Sequence, residues 1–168
     1  MSKRHDIRRL AMQVLYQIDA TGETDAELIF AELDEDHDAP EVRTAAVEFA
    51  LRAWEDHGTI DDRITAIAPD WPTHRQPPVD RAILRLAVHD MTSGRSPAKV
   101  AINEALELAK QFSHENAPPF INGILDKLHK TLELPPASAP PRTPSDSGGP
   151  APDAWLDDAK APPPDPTG

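Results

Sequence analysis

The sequence predicts an all-α domain of about seven helices over residues 1–134, followed by a disordered tail over 135–168. Three observations carry this. Apolar residues recur at helical spacing in segment after segment. No Val-, Thr- or Tyr-rich alternation bounded by hairpin turns interrupts them. From Pro135 onward the composition turns to Pro, Ser, Gly, Ala and Asp and holds most of the chain's 19 prolines. Such a segment buries too little apolar surface to offset its ordering entropy. Its Trp155, beside Asp157 and Asp158, is either a short recognition motif or a chance apolar residue.

The first helix is expected over 4–20, where Ile7, Leu10, Ala11, Val14, Leu15 and Ile18 form one stripe on a 3.6-residue period. Arg8 borders that stripe and Arg9 lies nearly opposite, so both guanidinium groups are expected to reach solvent. Gly22 is the natural left-handed residue to end it. A second helix over 25–36 buries Leu28, Ile29, Phe30 and Leu33, with Thr24 and Glu27 forming a capping box. The acidic run Asp34–Asp38 opposes the dipole at that helix's end and frays before Pro40. A third helix spans 41–57, with Gly58 as its stop. A fourth runs over 60–68 behind a capping pair of Thr59 and Asp62.

Helix cannot cross the proline-rich stretch 69–78. There Trp71 is expected as an anchor over the core rim or as a ligand platform. The fifth helix, 79–91, buries Val79, Ala82, Ile83, Leu86, Ala87 and Met91 and leaves Asp80, Arg81, Arg85 and His89 on its other faces. The sixth carries Val100, Ala101, Ala105, Leu108, Ala109 and Phe112, with Ser96 as its N-cap and Pro97 in its first turn. Asn103, a poor helix former in its middle, is expected to hydrogen-bond a neighbouring element. The last helix begins near Asn116 and buries Phe120, Ile121, Ile124, Leu125 and Leu128.

The absence of cysteine excludes disulfides, Cys-ligated metal and a thiol nucleophile. No apolar run approaches the roughly 20 residues that span a bilayer, and the N-terminus does not read as a signal peptide. A soluble cytoplasmic protein is expected. The net charge of −12 argues against indiscriminate nucleic-acid binding. Its distribution is uneven, however. Lys3, Arg4, Arg8 and Arg9 make a basic head, whereas residues 23–41 carry acids and no Lys or Arg. That pattern fits local anion binding or a solvated helix end. Cations oppose the dipole at a helix start, which favours the functional reading, and the planar fork of Arg suits phosphate.

No glycine-rich phosphate loop, His-Glu-x-x-His motif or EF-hand spacing is present. The seven histidines fall mostly at helix ends and loops, and the carboxylates lie on solvated faces where nothing raises a pKa into a working range. No enzyme, metal or cofactor is expected.

Lys99-Val-Ala-Ile-Asn-Glu-Ala-Leu-Glu-Leu-Ala-Lys110 followed by Phe120-Ile-Asn-Gly-Ile-Leu-Asp-Lys127 resembles the signature of the transcription antitermination factor family NusB. Arg8-Arg-Leu-Ala-Met-Gln-Val-Leu-Tyr-Gln17 resembles the first helix of that family, and Val79–Ala87 its fifth. The resemblance implies two small packed helical bundles that bind RNA without catalysis. It implies partnership with the small-subunit ribosomal protein NusE, recognition of boxA RNA in nascent ribosomal-RNA transcripts, and a place in the RNA polymerase antitermination complex. Both monomers and homodimers occur in the family.

Carried onto this chain, the RNA contacts fall on Arg4 and Arg8, with Lys3 and Arg9 as supporting charge. Asn116, Phe120 and Asn122 lie near the family's RNA surface, and for Phe120 a core position is an equal alternative. An amide at Asn116, where the family often has an acid, lessens repulsion of phosphate. Asp80 and Arg85 map to the region associated with NusE, while Asn103 and Glu104 are expected to fasten helices. His5-Asp6-Ile7 stands where the family often has consecutive arginines. The same fold precedes the catalytic domain of certain ribosomal-RNA methyltransferases; no cofactor-binding domain follows here, so the separate factor is expected. A helical protein–protein adaptor without RNA is the remaining alternative.

Overall fold

The apolar stripes close into seven α-helices and one 3-10 turn in the computed structural model, which describes residues 2–133. The expected tail and Trp155 lie outside the described residues. The helices are α1 (Lys3–Thr21), α2 (Ala26–Ala31), α3 (Pro40–Glu55), α4 (His57–Ile67), α5 (Pro78–Thr92), α6 (Ala98–Phe112) and α7 (Ala117–Glu133), with the 3-10 turn at Thr73–Arg75. None of them is long and apolar enough to cross a membrane.

α1 lies against α3 and α5, and α2 closes on α3; α5, α6 and α7 pack together with α4 against α5 and α7. These are the two bundles, and α5 belongs to both. A continuous core runs through them, including Met12, Leu15, Phe49, Ile83, Leu84, Leu108, Ile121 and Leu125. Each such side chain contributes about 1.5–3 kcal/mol by leaving water.

α5 departs from the one-sided stripe that its sequence suggests. Every residue from Ala82 to Asp90 is buried, because α1, α3, α4, α6 and α7 surround it. Its polar residues therefore need partners. Asp80 accepts from Ser113 Oγ at 2.5 Å, Arg85 donates from Nε and Nη2 to the two oxygens of Asp61 at 2.9 and 2.7 Å, and His89 Nδ1 lies 3.2 Å from Asp56 Oδ2. Asp90 faces Arg8.

Several boundaries shift for identifiable reasons. Asp25, not Thr24, caps α2, accepting from the N–H groups of Glu27 and Leu28. That helix ends at Ala31, several residues before the acidic run, where the C-terminal dipole disfavours acids. Gly58 does not separate α3 from α4; the break falls at Asp56, and Gly58 is helical inside α4. Gly22 ends α1 with φ of 79° as expected. Pro97, not Ser96, is the residue before α6, and the Ser96 hydroxyl accepts from Arg8 Nη2 at 2.6 Å instead.

Candidate nucleic-acid interface

The start of α1 sorts its basic residues into two kinds. Ser2 caps the helix, its Oγ accepting from the His5 N–H at 3.1 Å, which fixes the first turn. On that turn Lys3 and Arg4 are exposed and make no ion pair among the described residues. Arg8 and Arg9, one turn later, are engaged. Arg8 Nε donates to Asp90 Oδ2 at 2.9 Å and Nη2 to Ser96, while Glu104 Oε1 lies 3.9 Å from Nη1. Arg9 Nη2 donates to Asp38 Oδ1 at 2.6 Å.

The expectation that both guanidinium groups reach solvent is therefore corrected. The stripe border that Arg8 occupies faces the α5–α6 corner, and the acidic loop before α3 folds over Arg9. The acidic run thus neutralises part of the basic head within the same molecule. Sequence reasoning missed Asp90, Ser96 and Glu104 as the anchors of Arg8, because no local pattern connects positions so far apart. Glu104 does fasten helices as expected, with Oε1 also 2.8 Å from His5 Nδ1. Asn103 does not: it is exposed on α6, and its side chain forms no hydrogen bond among the described residues.

Asn116 and Asn122 are exposed at the start of α7, and Phe120 is half-buried against the core. Trp71 packs its ring edge-on to Phe120, with centroids 5.6 Å apart. Trp71 is itself 43% exposed, and Phe120 is the ring that it touches at the edge of the core.

The two sets do not meet. The head lies beside Asp90 and Ser96, at the C-terminal end of α5. Asp80, at the N-terminal end of α5, bonds Ser113 just before α7. The rise from Asp80 to Asp90 along α5, about 15 Å at 1.5 Å per residue, separates them.

Asp80 and Arg85, expected on a partner surface, are 2% and 6% exposed. Both spend their polar atoms inside the molecule. Arg81, beside them, donates to Asp19 Oδ2 at 2.7 Å, and Arg85 Nη1 lies 3.4 Å from the same oxygen. The pair thus ties α5 to α1 and α4, which corrects its expected availability. The signal that separates a surface arginine from this one is the unbroken burial of α5, which the residue pattern does not give.

The NusB family model matches residues 5–130. A transcription antitermination protein NusB from Solibacter usitatus is 41% identical over 143 residues, covering 84% of this chain and 97% of that protein. One from Bacillus pumilus is 37% identical over 132 residues, covering 78% and 98%. Among solved structures, T. maritima NusB superposes with a TM-score of 0.67 at 30% identity, over 77% of this chain and 92% of that one. A chain from a crystal structure of the antitermination factors NusB and NusE in complex with double-stranded RNA matches at a TM-score of 0.68 and 26% identity, over 78% and 98%.

Proposed function

The chain belongs to the NusB family, and from that premise we propose that it is a transcription antitermination factor. It binds boxA-type RNA of nascent ribosomal-RNA transcripts together with the ribosomal protein NusE and helps RNA polymerase resist termination. The observation that carries this reading is the likeness, over nearly the whole of that chain, to a protein seen with NusE and RNA.

On this reading the factor works in the cytoplasm and by binding alone. Lys3 and Arg4 supply the first phosphate contacts, since they are the head cations left free of internal partners. Arg8 and Arg9 hold the helix that presents them. Asn116 and Asn122 offer uncharged hydrogen-bonding groups at the far end of α5, so one RNA strand contacts both sets only by running along the molecule. Phe120 supports that end through Trp71 and the core. Asp80 and Arg85 shape the NusE-facing end of α5 without touching the partner.

A mobility shift with boxA-like and scrambled RNA, each with and without NusE, tests the proposal. Preference for boxA that strengthens with NusE is the expected result. No preference under either condition, with NusE still bound, would favour the helical adaptor.

A further inference from the structure

A cleft of about 260 Å³ lies between the first turns of α1 and the turn joining α5 to α6, lined by Arg4, Ile7, Arg8, Phe49, Arg95 and Ser96. Its three arginines differ. Arg8 is held by Asp90 and Ser96, and the nearby Glu104 is taken by His5 and Arg8. Asp90 and Glu104 thus each face Arg8. Arg4 and Arg95 are exposed and form no ion pair among the described residues.

Arg95 is also held in a particular way. Its Cζ lies 3.9 Å from the centroid of the Phe49 ring, and that ring is itself 1% exposed and fixed in the core. Gly94, at φ of 76°, makes the left-handed step that leads into it. The ring attracts the cation through its charge, and none of the five N–H donors of the Arg95 guanidinium forms a hydrogen bond among the described residues. The result is an oriented fork with its donors unspent, beside a second free arginine.

We propose that Arg95 is a further RNA-contacting residue, gripping on the platform of Phe49 a phosphodiester of a single-stranded RNA next to the one that Arg4 meets. This rests on the RNA-binding reading of the head and extends that surface from α1 onto the α5–α6 turn. A phosphodiester fits because a planar fork donates two parallel hydrogen bonds to it, and because two exposed arginines, Arg4 and Arg95, line the same cleft.

The test is fluorescence anisotropy of a labelled boxA-like single strand with the full chain, across a salt series, for wild type, Arg95→Gln, Arg95→Lys and Lys3→Ala/Arg4→Ala. Arg95→Gln is expected to flatten the log–log salt slope by about 0.7, the share of one single-strand phosphate. Arg95→Lys keeps the slope but binds several-fold more weakly, because an ammonium has no plane to stack or fork to donate. Unchanged slope in Arg95→Gln, with a flattened slope in Lys3→Ala/Arg4→Ala, overturns the role of Arg95 and leaves the head intact. Unchanged affinity in Arg95→Lys also overturns the stacked fork, and it does so whether or not Arg95→Gln folds. A loss confined to NusE binding without RNA would make Arg95 a protein contact and overturn the proposal. Wild type that does not bind RNA at all overturns both readings.

Discussion

Arg8 and Asp90 meet across the seam between α1 and α5, Nε to Oδ2 at 2.9 Å, with side chains only 8% and 2% exposed. The other oxygen of Asp90 is buried with no hydrogen-bond partner, so Arg8 carries the compensation of that charge. Removing one member of a buried pair leaves the other uncompensated, at about 3–5 kcal/mol. Arg8→Ala is therefore expected to lower stability by that amount, seen as a fall in the urea midpoint. Replacing both together, as Arg8→Met with Asp90→Leu, recovers most of the loss because neither charge remains.

This relationship marks where the sequence is legible and where it is not. Helix periodicity locates α1, α3, α5, α6 and α7 because each must bury a stripe, and a stripe is a local pattern. It does not show that α5 is enclosed on every side, since enclosure depends on how many other helices meet it. Hence Arg8, Arg85 and Asp80 read as surface groups and prove to be internal ties. Lys3 and Arg4 were readable because they precede the packed stripe. Arg95 on Phe49 was not, because a turn residue carries no periodicity to place it.

The contact between Trp71 and Phe120 is expected to carry energy. A double-mutant cycle over Trp71→Ala and Phe120→Ala should give a coupling of about 0.5–1.5 kcal/mol, the usual range for an edge-on aromatic pair. Because Phe120 is only half-buried, Phe120→Ala alone should cost less than the ~3–5 kcal/mol of a core phenylalanine. Additive effects would show that the two rings are neighbours without interaction.

Two glycines should respond in opposite directions to alanine. Gly22 has φ of 79°, so Gly22→Ala places a side chain in the left-handed region and should cost about 1–2 kcal/mol. Gly58 is helical, and a Cβ there meets nothing within 4 Å. Gly58→Ala should therefore stabilise by up to ~1 kcal/mol through helix propensity. Thermal unfolding of the two variants distinguishes a left-handed helix end from a right-handed position in a helix's first turn; destabilisation by Gly58→Ala would place the α3–α4 break at Gly58 after all.

The central claim is that Lys3 and Arg4, held out by a first helix whose other arginines are internally paired, bring RNA phosphates to this molecule. The most direct measurement is the salt dependence of boxA-like single-strand affinity for wild type and Lys3→Ala/Arg4→Ala. With Lys3, Arg4 and Arg95 each meeting one phosphate, the wild-type log–log slope is expected near roughly −2, at about 0.7 per phosphate. Loss of two contacts brings the variant to about −0.7 on the same scale. The same slope in both proteins would contradict the head as the RNA site.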